Sequence, residues 1–374
     1  MRQRDLLTGV SREDNGLNAV RLTLAFAVLV SHSFALTGRV EPRLAGLTLG
    51  TWAVLGFFAV SGYLVTGSGM GLSAGRFVWH RTLRIFPAYW VALLVTAFVL
   101  APVVSTLRGE AWSVLPAVRY AIVNATTWPV ARRIDGTLLH VDRLDGGPTG
   151  PWNGSTWTLR FELGCYLLAL VVLSIRQLRR PGTAAALLAL AIGARVVTPG
   201  DWRSMMVFLT PFAAGMMLRL LGGRVRLSVP LALAAVFSLL AASEAGLGAA
   251  LGALPLAYLV LAAGAVWTRA VPRRRDLSYG VYIYAWPIQQ VLCDVGAGRW
   301  PLLVFVAVVT AAVVPAAWGS WSLVERPALR LKSVGRGRRL DLGRVSSRAR
   351  GGAARVPGPV AAGDAGALGG EQVA

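Results

Sequence analysis

Long apolar stretches recur along this chain with short polar breaks between them. Ten read as helical spans, near residues 17–37, 47–69, 87–107, 156–175, 183–198, 203–221, 227–243, 248–268, 277–295 and 300–323. Runs of about 20 apolar residues match the thickness of a bilayer crossed as a helix. Their apolar character is continuous rather than alternating, which excludes a transmembrane barrel. The expected fold is therefore all-α, a polytopic integral membrane bundle of about ten transmembrane helices spanning residues 1–332. Two segments break the pattern. Residues 108–155 are rich in Trp, Pro, Gly and Asp and read as a long extracytoplasmic loop. Part of 113–125 within it is apolar enough to lie at the interface or re-enter. Residues 333–374 are rich in Gly, Ala and Arg without periodicity, the pattern of a disordered basic cytoplasmic tail.

Composition supports the membrane reading. Of 374 residues, 55% are hydrophobic and only 15% charged, and the mean hydropathy is +0.58. A net charge of +21 raises the question of nucleic acid. The basic residues, however, fall in short loops and one tail, as the positive-inside rule requires. With the N-terminus cytoplasmic, each inner segment is at least as basic as any short outer loop, so both termini are expected inside. No nucleic-acid partner is expected. Charged residues from Arg2 to Asp14 precede the first apolar run, which is too long for a cleavable signal peptide. Cys165 and Cys293 both fall in apolar segments and read as packing residues. The chain carries no Walker motif and no internal repeat of the kind many transporters show.

Four places carry polar chemistry at membrane depth. The first apolar run holds Arg21 and His32, and an ionisable group inside a span is a functional-site hypothesis by default. Eleven helical steps come to roughly 1100°, close to three full turns, so both side chains share one face about 16 Å apart. Arg21 is equally compatible with a snorkelling anchor, and His32 with a helix-packing residue. Next comes an inner loop, 76–89, with Arg76, His80, Arg81 and Arg84, and with Pro87 opening the third span. Guanidiniums grouped at one membrane surface suit a polyanion such as a phosphorylated cofactor; lipid headgroups would also be bound there. Glu162 falls about two turns inside the fourth span, at a depth like that of His32, where a carboxylate can fix an imidazole's tautomer. A structural pair of Glu162 with Arg160 or Arg21 is the alternative. Finally, 277–290 crowds Tyr279, Tyr282, Tyr284 and Trp286 before Pro287, and its freed carbonyls with Gln289 and Gln290 suit the lining of a polar cavity.

Six motifs in order then resemble the membrane acyltransferase-3 family of integral membrane O-acyltransferases, over roughly residues 15–332. They are Arg21 and His32 with ten residues between them, FFAVSGYLVT at 57–66, RTLRIFPAYW at 81–90, NGSTWTLRFELGCYL at 153–167, LSYGVYIYAWP at 277–287 and WSLVERP at 321–327. The resemblance implies a ten-helix fold in the plasma membrane. It also implies transfer of an acyl group, most often acetyl, from cytoplasmic acyl-CoA to a hydroxyl of a carbohydrate or glycoconjugate. Carried over by position, Arg21 and His32 are the signature pair, Arg81 and Arg84 the inner arginines, and Glu162 and Glu325 the acids of the later motifs. Trp157 and Tyr282 lie within motifs as well. On this reading His32 is the general base, oriented by Glu162, and Arg21 holds the donor or the developing oxyanion. Arg81 and Arg84, helped by Arg76 and Arg273–Arg275, hold the coenzyme A phosphates. The donor is a substrate; no permanently bound cofactor or metal is expected. Many members have a histidine in the stretch where this chain has Ala285, which puts a second catalytic histidine there in doubt. Some members carry a fused esterase-like domain, which a tail of about 40 low-complexity residues is too short to supply. A transporter or flippase for a glycan or lipid-linked intermediate is the alternative function.

Overall fold

A computed structural model describes residues 16–44, 46–128, 131–135, 151–267 and 276–333. The arginines at 273–275 and nearly all of the expected tail lie outside the described residues, as do parts of the 108–155 stretch.

The described residues are mostly helical. Helix α1 (Leu17–Leu36) is followed by a two-stranded antiparallel hairpin, β1 (Arg43–Leu44) and β2 (Leu47–Thr48). Gly46 turns the hairpin with φ +78°, a value that favours glycine. Helix α2 (Leu49–Gly69) follows, its first turn capped by Thr48, whose hydroxyl accepts from the Thr51 N–H. Helix α3 (Ala74–Val95) runs through a π segment, Thr96–Leu100, into α4 (Ala101–Arg108). Short α5 (Val114–Val123) comes next, and a 3₁₀ turn, Gly154–Thr158, leads into α6 (Leu159–Ser174). The remaining helices are α7 (Pro181–Val197), α8 (Gly200–Leu221), α9 (Val229–Glu244), α10 (Gly248–Leu251), α11 (Ala253–Val266), α12 (Ser278–Asp294) and α13 (Leu302–Ser320). A second π segment, Trp321–Glu325, joins α13 to α14 (Arg326–Arg330).

Among the described residues, six helical stretches are long and apolar enough to cross a membrane: 17–36, 49–69, 74–108, 154–174, 200–224 and 302–333. Ten spans were expected. At the other four positions, α7, α9, α11 and α12 run only 14 to 17 residues. Helices α7, α9 and α12 lie within two residues of their apolar runs, which are themselves short, while α11 begins only after Gly252 inside the expected 248–268 run.

The expected inner loop 76–89 is a correction. These residues are helical from Ala74 onward, and α3 to α4 spans 35 residues in one rod. Pro87 lies inside that rod rather than at its start. At 1.5 Å per residue the rod is about 52 Å long, well beyond the ~30 Å hydrocarbon core.

Packing rests on close backbone approach. At the crossing of α2 and α8, a Cβ on Gly62 would collide with the Phe212 carbonyl, and one on Gly215 with the Ala59 carbonyl. Small residues at a crossing let apolar helices pack without a hydrophobic driving force between them. Helix α12 is the buried centre, with every residue from Ser278 to Pro287 inside the protein. It packs against α1, α3, α13 and the 3₁₀ turn. Sequestered in this way, a helix can carry Gln289 and Gln290 at membrane depth.

Candidate functional site

The centre of the charge chemistry is Asp276, two residues before the buried helix α12. Its Oδ1 accepts from the Ser278 N–H at 3.2 Å and from the Ser278 hydroxyl at 2.6 Å, which fixes the carboxylate at the helix N-terminus. Its Oδ2 is shared by two guanidiniums: Arg21 on α1, and Arg84 on α3 at 2.6 Å. Arg84 reaches on to Glu325 at 3.5 Å, and Ser320 donates to the other Glu325 oxygen at 3.3 Å. Glu325 arrives there on the π segment that ends α13; π insertions often re-aim side chains at functional sites. Burial alone would raise the Asp276 carboxyl, but Arg21 and Arg84, with the Ser278 hydrogen bonds, outweigh it and hold it well below the usual carboxylate range.

This cluster forms part of the wall of a cavity of about 360 Å³. Arg81 and Lys332 line it too, and neither has a carboxylate partner among the described residues. Arg81 donates to the Ser68 hydroxyl at 3.4 Å and lies over the Phe77 and Tyr166 rings. The cavity wall thus carries four cations, Arg21, Arg81, Arg84 and Lys332, against the carboxylates of Glu162 and Asp276. Arg76, one turn before His80, does not line it. Residues Phe57, Phe58, Ser61, Leu64 and Val65 of α2 form the apolar side, which places the FFAVSGYLVT stretch at the cavity.

His32 lines a different, larger cavity of about 760 Å³. Its ring stands edge-on to Trp286, with centroids 4.7 Å apart, and its Nδ1 has no hydrogen-bond partner among the described residues. Trp286 is itself held by a 2.8 Å bond from its indole N–H to the Pro151 carbonyl. Asn153, Trp157, Arg160 and Tyr89 line the same space. Asn153 is fixed by Tyr120 at 2.8 Å and by Thr96 of the first π segment, while Arg160 pairs with Asp201 at 2.7 Å. Arg21 and His32, on the one helix α1, each open on a separate cavity.

Glu162 is not brought to His32. It lines the arginine cavity, where Tyr166 and Ser61 donate to its Oε1. The expected pairings with Arg160 and Arg21 are not formed either: Arg160 bonds Asp201 and Arg21 bonds Asp276. The reason lies in the 3₁₀ turn. Trp152 and most residues from Asn153 to Thr158 are already buried, so α6 starts inside the protein and Glu162 sits deeper than a count from a surface start gives.

The two cavities share part of their walls. Val54, Thr158 and Tyr282 line both. The Tyr282 hydroxyl donates to the Ser155 carbonyl at 2.8 Å and is 2.6 Å from the Thr158 hydroxyl, and Ser155 Oγ donates back to the Tyr282 carbonyl at 3.0 Å. Gln289 and Gln290 line neither cavity. Gln289 instead donates to the Leu29 carbonyl and the Ser33 hydroxyl on α1, one residue from His32. Sequence reasoning missed Asp276, Thr158 and Val54. The signal for Asp276 was present, since Arg21 inside a span demands a carboxylate and Asp276 closes a run of three arginines just before the 277–295 span.

A family model described as an acyltransferase domain matches residues 14–322. The chain is 27% identical over 339 residues to an O-acetyl transferase of Shigella phage Sf6, covering 84% of this chain and 96% of that protein. It is 29% identical over 378 residues to Nodulation protein 10 of Rhizobium leguminosarum bv. viciae, covering 88% and 96%. No solved structure matches.

Proposed function

The chain belongs to the acyltransferase-3 family, and from that premise we propose that it moves an acetyl group from acyl-CoA to a hydroxyl of a carbohydrate or glycoconjugate. The observation that carries this reading is the pair of cavities at the two ends of α1, one walled by four cations and the other by His32, with Val54, Thr158 and Tyr282 common to both. A polyanionic donor suits the first. An uncharged hydroxyl-bearing acceptor among Trp157, Asn153 and Tyr89 suits the second. The arginine cavity faces the cytoplasm, where acyl-CoA is made, and the His32 cavity faces the opposite side.

In this scheme Arg81, Arg84 and Lys332 hold the donor's phosphates by charge-assisted hydrogen bonds. Asp276 keeps Arg21 and Arg84 extended into the cavity. The pantetheine arm points past Tyr282 toward His32. The free imidazole nitrogen of His32 takes the proton from the acceptor hydroxyl as its oxygen attacks the thioester carbonyl. A C–O bond forms, the C–S bond breaks, and the imidazolium returns its proton to the departing sulfur. Products are an ester and free CoA thiol, with no net proton change. Positioned general bases typically contribute about 10²–10⁴-fold.

The test is label transfer from radiolabelled acetyl-CoA in membranes containing this chain, with native acceptor fractions supplied. Label enters a glycan or glycolipid fraction, and His32→Ala at matched expression reduces the rate by about 10²-fold or more. Full turnover in a folded His32→Ala variant removes the general-base role. Absence of transfer from any acyl-CoA removes the donor assignment.

A further inference from the structure

Three residues line both cavities, Val54, Thr158 and Tyr282, and they are unlike each other. On one side stands Tyr282, whose hydroxyl is tied both to the Ser155 carbonyl and to the Thr158 hydroxyl, while its backbone carbonyl is bonded by Ser155 Oγ. Its ring also meets Phe57 edge-on, with centroids 5.9 Å apart. These bonds fix the ring; it cannot swing aside to admit a longer group without breaking buried hydrogen bonds. Facing into both cavities from α2 is Val54, a branched side chain with one preferred χ1 in a helix. The third wall is Thr158, buried at the end of the 3₁₀ turn.

Tyr282 and Trp286 are one helical turn apart on α12, and Trp286 touches the His32 ring. A thioester reaching His32 from the arginine side therefore ends at the shared wall. Its carbonyl must sit beyond or within the three-sided opening, and whatever the carbonyl carries must fit there.

We propose that Val54, Thr158 and Tyr282 form the acyl gauge of the enzyme, the opening that admits a two-carbon acyl group to His32 and rejects longer ones. The inference rests on the donor reading above. It assigns donor selectivity to three residues that neither bear the charge that binds the phosphates nor take the proton. The hydrogen-bonded Tyr282–Thr158 pair is the rigid side and Val54 the side whose volume sets the limit. One methylene in an apolar pocket changes selectivity by roughly 10–200-fold, so removing two methyl groups opposite a fixed ring is a change of that order.

Rates of transfer from acetyl-CoA and butyryl-CoA, compared in membranes containing the full chain, test this. Val54→Ala raises the butyryl-to-acetyl ratio about tenfold or more. Leu64→Ala, in the arginine cavity alone, and Val207→Ala, in the His32 cavity alone, leave the ratio where it was. Thr158→Ser, which keeps the hydroxyl and removes one methyl, moves the ratio in the same direction as Val54→Ala. An unchanged ratio in both Val54→Ala and Thr158→Ser, with acetyl transfer retained, overturns the gauge and leaves the donor reading standing. Equal shifts in the two control variants also overturn it, because selectivity would then be spread along the whole path. No transfer from either donor by the parent chain strikes the donor reading itself.

Discussion

At the scale of single residues, the cost of charge under the membrane surface decides what matters. Asp276 is shared by Arg21 and Arg84, and their side chains are only 12 to 18% exposed. Removing one partner of a buried ion pair costs about 3–5 kcal/mol, because the remaining charge stays desolvated. Asp276→Asn leaves two guanidiniums facing each other, and a fall in thermal stability of that order in detergent is expected. The pH sign follows from the depressed carboxyl. Its contribution is present above the ordinary carboxylate range and is lost only as pH falls through the lower folded value. The stability gap between parent and Asp276→Asn should therefore stay constant from about pH 8 to pH 5. A gap that closes within that window would mean Asp276 is not held ionised by the arginines. Arg21, His32 and Glu162 were legible because intramembrane charge is expensive, Arg81 and Arg84 as guanidiniums grouped at one surface, and Glu325 through the family resemblance alone. Their partners were not. Depth counted along the chain paired Glu162 with His32, whereas Glu162 bonds Tyr166 and Ser61 in the other cavity. Sequence distance gives depth along a helix but not which neighbour the side chain meets.

Among the elements, apolar runs located the long described helices and misjudged several ends. The rod from Ala74 to Arg108 was read as a loop followed by a span, because four basic residues and a proline interrupt hydropathy without interrupting the helix. Neither π segment was legible, since each depends on tertiary partners. The Ala97 carbonyl accepts the Trp112 indole N–H at 3.1 Å, and Glu325 turns toward Arg84. Glycines in α2 and α8 gave no signal of their partner until the crossing was seen. At that crossing there is no room for even a methyl group on Gly62. Overpacking a well-filled contact costs about 1–3 kcal/mol and more against backbone, so Gly62→Leu should separate α2 from α8 and sharply lower the yield of folded protein. Gly71→Leu, on the same stretch of chain with nothing near its Cβ position, should not. Size-exclusion profiles in detergent distinguish the two.

For the whole molecule, two cavities with different chemistry share a wall inside one bundle. That arrangement was not legible from any motif, because it arises where α2, α12 and the 3₁₀ turn converge from distant parts of the chain. It makes a topological prediction. Both cysteines are buried, so a single exposed cysteine reports its own side. Ser68→Cys lines the arginine cavity and Glu41→Cys the His32 cavity. In sealed vesicles a membrane-impermeant maleimide should reach one and not the other, with the pattern reversed in inverted vesicles. Labelling of both from one side would exclude cavities that open on opposite faces. The Arg21–Asp276–Arg84–Glu325 cluster also sets an order of events during synthesis. Arg21 and Arg84 leave the ribosome long before Asp276 and Glu325 exist, and the one earlier carboxylate in their cavity, Glu162, is bonded to Tyr166 and Ser61 instead. Through most of translation the nascent chain thus holds two arginines at the membrane with no carboxylate of their own. The bundle closes electrically only when its last quarter arrives, and a chain cut short before residue 276 is marked by that uncompensated charge as unfinished.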